Sequence, residues 1–273
     1  MSKELEAFIE YITVIKALSP RTITAYSHDL NEIEHTSEKC LTELDSNTVF
    51  RVLGTIANKR TLNRKLSAFN SFLDFCHRNR FNSVSSKFPL SKVPKNLPKY
   101  LSFETIQSGL RLVDRSEWIG LRDYALLLFL YATGVRVSEC LMVEEGDIEG
   151  EWLRIRHGKG EKERYVPIAP EALKALRVYQ ESCPYRRSHL WLNYRGESLS
   201  RISAFKITQK YLGVSPHALR HSYATALILG GADLRVVQEL LGHASLLTTQ
   251  IYTHVQKQNL QETVLKHHPM AHS

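Results

Sequence analysis

Four short stretches of this sequence hold side chains able to handle a phosphate or a proton: Thr133-Gly134-Val135-Arg136, His217-Ala218-Leu219-Arg220-His221, Leu241-Gly242-His243 and Gln250-Ile251-Tyr252-Thr253-His254. A fifth, His157-Gly158-Lys159-Gly160, sets a lysine between two glycines. Each has an ordinary reading when taken alone. His217 and His221 stand at the i, i+4 spacing of a zinc pair, but Ala218 occupies the place where a zinc protease carries its glutamate, so no metal site is expected. Lys159 lacks both the four-residue spacer and the following Ser or Thr of a nucleotide-binding loop. Arg136 can pair with Glu139 one turn on, an interaction worth about 0–1 kcal/mol at a surface. A lone tyrosine in Gln-Ile-Tyr-Thr-His is most often a packing residue. Together, however, these residue types meet the needs of phosphodiester exchange, which requires a nucleophile, stabilisation of extra negative charge and an acid for the leaving oxygen. A phenol with a pKa near 10 is ionised in only about one molecule in a thousand at neutral pH, so a tyrosine nucleophile depends on neighbouring cations or a base. Paired N–H donors of two guanidinium groups suit the non-bridging oxygens of a pentacoordinate phosphorus in a way a point-charge lysine does not.

The stretches also carry a resemblance. Ala132-Thr133-Gly134-Val135-Arg136-Val137-Ser138-Glu139, the His217 to His221 run, Leu240-Leu241-Gly242-His243 and Thr248 to His254 are similar to the tyrosine recombinase (phage-integrase) family, in its Xer-type branch. The spacing matches as well as the types, with Arg220 three residues after His217, His243 twenty-three later and Tyr252 nine after that. Ser19-Pro20-Arg21-Thr22, Tyr26 and Asp29-Leu30 resemble the family's N-terminal core-binding domain, so the likeness spans nearly the whole chain. It implies that Tyr252 attacks DNA phosphorus to leave a 3′-phosphotyrosine and a free 5′-hydroxyl, and that Arg136 and Arg220 stabilise the transition state. It further implies that His217 accepts or shuttles a proton, that His243 donates a hydrogen bond to the phosphate, and that Lys159 protonates the departing oxygen. The residue at Glu139 supports the site in this pattern. No cofactor, ATP or metal is implied. The expected partners are duplex DNA with paired inverted half-sites, roughly one helical turn apart, and a homo- or hetero-tetramer of like recombinases acting through a Holliday junction. Val255, Leu260, Val264 and Leu265 are candidate anchors for docking the tail on a neighbouring protomer. The residues themselves do not say whether an activator protein is needed, nor whether the outcome is dimer resolution or mobile-element integration and excision. A non-catalytic DNA-binding relative and a type IB topoisomerase-like enzyme are the alternatives.

The elements that must position these groups read as mainly helical. Leu5, Phe8, Ile9 and Ile12 form one buried stripe. Ser19-Pro20 caps and opens a second helix bearing Ile23, Tyr26, Leu30 and Ile33. Val49, Leu53 and Ile56 suit a third helix, and Leu62, Leu66, Phe69, Leu73 and Cys76 a fourth. From Ser83 to Pro98, Pro89, Pro94 and Pro98 exclude a long helix and no apolar period is visible, which predicts a linker. Beyond it Ser102 caps a helix, and the apolar run from Tyr124 to Ala132 predicts a buried helix ending at Gly134. Trp152 to Arg156 and Arg164 to Pro167 predict a hairpin turning through His157 to Gly160. Helices follow from Pro170, near Ser200 to Leu212, from Pro216 to Leu229, from Asp233 to Leu241, and in a last pair around Tyr252. The fold class expected is mainly α with a small β-sheet. It comprises a SAM-like helical core-binding domain over 1–83, a basic linker over 84–99 and an α/β catalytic domain over 100–273, closing as a C-shaped clamp on DNA.

Charge is placed unevenly. Between Thr55 and Tyr100 stand Lys59, Arg60, Arg64, Lys65, Arg78, Arg80, Lys87, Lys92, Lys95 and Lys99 against Asp74 alone, an excess larger than the +8 of the whole chain. Such a segment predicts a polyanionic partner, and Lys59, Arg60, Arg64, Lys65, Arg78, Arg80, Lys92 and Lys95 are the candidate DNA contacts. No apolar run approaches the ~20 residues of a membrane span, and Met1-Ser2-Lys3-Glu4 does not open a signal peptide. Cys40, Cys76, Cys140 and Cys183 are scattered without CxxC spacing, as reduced thiols would be. A cytoplasmic, nucleoid-associated bacterial or archaeal protein is therefore expected.

Overall fold

The computed structural model describes residues 1–81, 87–91, 100–156, 163–242 and 254–271, with side chains over 258–270 in the last segment. The chain divides into two compact units, Met1–Asn96 and Leu97–Ser273.

The first unit is helical among its described residues: α1 (Lys3–Val14), α2 (Pro20–Ser37), α3 (Ser46–Leu53) and α4 (Lys59–Arg78). The helix starts are chemical. Ser2, Ser19, Asp45 and Asn58 each accept a backbone N–H of the first turn, satisfying donors that have no partner inside the helix. Leu5, Phe8, Ile12, Leu30, Ile33, Phe69 and Phe72 are essentially inaccessible and form its core. α3 stops at Gly54, so Ile56 lies beyond the helix expected to carry it, although it still packs at the core's edge. Two ion pairs join α2 to α4. Arg64 meets the fully buried Asp29, and Lys65, itself buried, meets Glu32 at 2.6 Å.

Part of the segment read as a linker is tied to this unit. Phe88 is buried against Phe50 and Phe69. The Asn70 amide donates to the Phe88 carbonyl and accepts its N–H, both at 2.9 Å, and Asn63 does the same for Ser91, both at 2.8 Å. Two asparagine side chains thus supply the pairing that a neighbouring strand would otherwise give an extended backbone. This device leaves no hydrophobic period, which is why the segment reads as structureless. Lys92, Lys95 and Lys99 lie outside the described residues.

The second unit contains α5 (Phe103–Arg111), α6 (Trp118–Thr133), α7 (Val137–Leu141), β1 (Ile148–Glu149), β2 (Trp152–Ile155), β3 (Arg164–Pro167), α8 (Pro170–Ser182), α9 (Arg201–Leu212), α10 (Pro216–Leu229), α11 (Leu234–Leu240) and α12 (His254–His267). α6 is its axis and is buried from Ala125 to Thr133. Arg122 and Asp123 sit near its start as a buried pair, with Arg122 also bonded to the Leu192 carbonyl at 3.0 Å. The sheet is antiparallel in the order β1-β2-β3, with Leu153 opposite Val166 and Ile155 opposite Arg164. β1, only two residues long, carries no alternation to read. The last helix packs on its own unit. Leu260 and Val264 are buried in the core with Met270, while Leu265 is partly exposed. His268 is fully enclosed against Tyr131 and Tyr223, and burial holds its pKa down at about 4. Two of the four candidate tail anchors, Leu260 and Val264, are thus buried within this unit. The side chain of Val255 lies outside the described residues.

Candidate active site

Gly134 ends α6 in the left-handed region, at φ +60°, and any Cβ there would lie 2.2 Å from the Tyr223 ring. Only glycine fits, and the turn it makes delivers Arg136 to the N-cap of α7. There the Arg136 N–H donates to Glu139 Oε2 at 2.8 Å while its guanidinium donates to Oε1 at 2.7 Å. Glu139 also accepts two bonds from Arg164, at 3.1 and 2.7 Å. Burial alone would raise the Glu139 carboxyl, but hydrogen bonds and charge from Arg164, then Arg136, outweigh it and hold the pKa near 2. Glu139 is thus an anion at any working pH.

Arg220 arrives from the first turns of α10 and is 5% exposed. Its guanidinium donates to the Gly134 carbonyl at 2.7 Å and to the Leu241 carbonyl. Burial, followed by repulsion from Arg136, lowers its pKa to about 10, which leaves it a cation at neutral pH. The bond from Arg220 to Gly134, two residues before Arg136, gives the central geometric fact. Residues eighty-four positions apart in sequence bring two guanidinium groups to one place. Among the described residues, the salt bridges of Arg136 and Arg164 both run to Glu139, so this corner of the unit carries an uncompensated positive charge.

His217 follows Pro216 at the start of α10, and its Nε2 lies 2.9 Å from that of His221. For that bond one ring must be bare at Nε2, so the pair accommodates at most one positive charge. Burial, then His221, Arg220 and Arg136, push the His217 pKa below its usual value. A neutral imidazole ready to accept a proton is the consequence.

Arg136, His217 and Arg220 are therefore brought together, whereas Lys159, His243 and Tyr252 lie outside the described residues. Their flanks are defined. The connection from β2 to β3 holds Lys159, Gly242 closes α11 immediately before His243, and α12 opens two residues after Tyr252. Of the basic residues in the first unit, Lys59 and Arg60 are exposed at one end of α4, and Arg78 and Arg80 at the other. A rise of 1.5 Å per residue separates those ends by roughly 30 Å. Arg64 and Lys65 between them are engaged by Asp29 and Glu32.

Arg164 was not read as a site residue in the sequence, and His221 was weighed there only as half of a metal pair. Arg164 was legible in principle, because strand alternation sets it on the same inward face as Val166, and a buried cation demands a partner. The contact of His221 with His217 follows from their i, i+4 spacing once the helix is granted.

The family model for "Phage integrase family" matches residues 99–259, and that for "Phage integrase, N-terminal SAM-like domain" matches residues 5–80. A tyrosine recombinase XerC of Bacillus licheniformis is 37% identical, across 98% of this chain and 97% of the relative. A tyrosine recombinase XerD of Listeria innocua is 35% identical, across 99% and 100%. Among solved structures, a XerH site-specific recombinase bound to its difH substrate before cleavage aligns at 25% identity with a TM-score of 0.64, covering 89% of this chain and 78% of the other. With a helical SAM-like unit, a catalytic unit and full-length relatives of this kind, the chain belongs to the phage-integrase family of tyrosine recombinases, as a DNA strand-exchange enzyme of the Xer type.

Proposed function

We propose that Tyr252 is the nucleophile of this recombinase and that Arg136 and Arg220 cradle the phosphate it attacks. The observation that carries the reading is the convergence of those two guanidinium groups on a corner where Glu139 is, among the described residues, the one anion paired with either of them, a local charge that a phosphodiester would relieve. His217, kept neutral by its surroundings, accepts the phenolic proton. His243 donates to a non-bridging oxygen, and Lys159, on the hairpin connection, protonates the 5′ oxygen as it leaves. The phosphorus–O5′ bond breaks as the phosphorus–tyrosyl bond forms, and attack by another strand's 5′-hydroxyl reverses the step. The bond energy is retained, so the exchange proceeds without cofactor, ATP or metal.

The first unit and the catalytic unit each bind duplex DNA carrying paired half-sites, with four protomers, identical or mixed, passing strands through a Holliday junction. Lys59 and Arg60 support this placement. They occupy the first turn of α4 with no acidic residue beside them, where cations oppose the helix dipole by about 0.3–1 kcal/mol each and a phosphate would be favoured. Arg78 and Arg80 extend the contact at the far end of that helix, and Arg64, Lys92 and Lys95 are further contacts to the backbone. Chromosome or plasmid dimer resolution in the cytoplasm is the physiological role this supports.

The test is a nicked duplex carrying the selected target, incubated with protein and resolved on a denaturing gel. Wild type should form a covalent protein–DNA adduct in chelator. Tyr252→Phe should bind DNA with unchanged affinity and form none. An adduct that persists in Tyr252→Phe, or that requires a divalent cation, removes the proposal.

A further inference from the structure

We propose that Arg164, at the start of β3, is a positioning residue that keeps the Arg136 guanidinium available to the phosphate by occupying the far side of Glu139. The inference rests on the reading of the site given above.

A carboxylate offers about four lone-pair positions, and those of Glu139 are all taken. Oε1 accepts from Arg136 Nη1 at 2.7 Å and Arg164 Nη1 at 3.1 Å, and Oε2 accepts from the Arg136 backbone at 2.8 Å and Arg164 Nη2 at 2.7 Å. The two arginines hold it differently. Arg164 takes both oxygens with both terminal nitrogens, the rigid fork geometry that aligns a carboxylate, while the Arg136 guanidinium has a single bond and its side chain remains 32% exposed. Arg164 itself is 5% exposed. If it were absent, Glu139 would have both oxygens free to draw Arg136 into a two-pronged pair, turning those donors away from the incoming phosphate.

Arg164 also touches the other half of the site. At Gly242 a Cβ would come within 2.9 Å of its Nε and 3.0 Å of its Cδ, so this glycine, at φ +62°, is where the turn before His243 closes on the guanidinium. One residue earlier, the Leu241 carbonyl accepts from Arg220. One side chain thus abuts the Arg136–Glu139 turn and the turn held by Arg220, and it is the first residue of the strand that follows the connection bearing Lys159. Stability does not explain such a residue. A buried ion pair gains little over aliphatic side chains of similar volume, and Val166 fills the same face of the strand two residues on.

The experiment measures single-turnover adduct formation at saturating DNA, on a nicked duplex selected by the protein from a randomised pool. It compares wild type, Arg164→Met, Glu139→Gln and the double variant between pH 5 and 8, with melting curves and DNA affinity in parallel. Arg164→Met should melt cooperatively and bind DNA within about threefold of wild type, yet form adduct on the order of 100-fold more slowly at pH 7.5. Its deficit relative to wild type should shrink toward pH 5, since a buried Glu139 without Arg164 takes up a proton more readily, with Arg136 and Arg220 the cations left facing it, and a neutral carboxyl no longer captures Arg136. In the Glu139→Gln background the same substitution should cost less than about fivefold, because no carboxylate remains to capture Arg136. Arg164→Lys, which keeps the charge but not the fork, should lose roughly tenfold and serves the same cycle where Arg164→Met does not fold. A wild-type rate and pH profile in whichever folded variant is read, or equal losses in both backgrounds, overturns the inference. Absence of any wild-type adduct overturns the reading of the site and this inference with it, whereas normal wild-type adduct beside an unaffected Arg164 variant overturns the inference alone.

Discussion

The two units of this chain bury charge in opposite ways. Between α2 and α4 of the first unit every buried ion has its own counter-ion: Asp29 faces Arg64, and Lys65 faces Glu32. These pairs neutralise one another and fasten one helix to the next. At the catalytic corner of the second unit, Glu139 is shared by Arg136 and Arg164, while Arg220 is anchored by backbone carbonyls that carry only partial charge. An arrangement that leaves a cation uncompensated costs folding stability and raises the affinity for an anion brought from outside. The same residue types thus serve as fasteners in one unit and, in the function proposed, as a phosphate receptor in the other, and the balance of opposing charges separates the two roles.

The sharpest way to break this contrast is to remove the cation that forms no ion pair among the described residues. Arg220→Ala should slow adduct formation by about 10²–10³-fold, equivalent to roughly 3–4 kcal/mol, and Arg220→Lys should not restore it because one ammonium does not span two carbonyls and a phosphate. A rate near wild type in Arg220→Ala would mean that the excess charge has no catalytic purpose.

Acid should next expose the shared carboxylate. Glu139 has a folded pKa of about 2, below the ~4.3 of an unfolded glutamate, so its stabilisation is complete above that value and is lost as pH falls toward 2. On the order of 2–3 kcal/mol should disappear over that window. Urea midpoints of wild type and Glu139→Gln should differ most at pH 6–7 and converge near pH 2, and parallel curves would show that the carboxylate is not coupled to folding.

A smaller effect is expected where charges are matched. Asp29→Ala leaves Arg64, whose side chain is 44% exposed, free to hydrate, so the first unit should lose only about 1–2 kcal/mol. Adduct formation at saturating DNA should not change. Should catalysis fall as far as it does for Arg220→Ala, the distinction between fastener and receptor would be wrong.

The smallest change concerns the dipole-opposed cations at the start of α4. Lys59→Glu should raise thermal stability by about 0.3–1 kcal/mol while weakening DNA binding, and the slope of log affinity against log salt should shrink by about 0.9 for each phosphate no longer neutralised. Equal affinity with an unaltered salt slope would place Lys59 away from the backbone.

Much of this was legible in the residues themselves. Caps at Ser19 and Ser102, the stripe from Leu5 to Ile12, the apolar run of α6 from Tyr124 to Ala132 and the stop at Gly134 are local signals, since capping and periodicity depend on neighbours within a few positions. The motif residues Arg136, His217 and Arg220 declared their kinship through type and spacing. The pairing of Asn63 and Asn70 with the segment at Phe88 was not legible, because side chains supplying a strand's hydrogen bonds leave no period. Nor was the engagement of Arg64 and Lys65, which as sequence are two more members of a basic run and in three dimensions face the acids of α2.

By itself, then, the sequence determined most of the elements, the kinship and which side chains are candidates for the chemistry. Only the tertiary structure decided which cations are neutralised and which stay free, why Glu139 is held ionised from two sides, and that Arg164 closes the cluster against Gly242. Charge pairing depends on distance in space, and residues separated by dozens of positions acquire a distance only when the chain has folded.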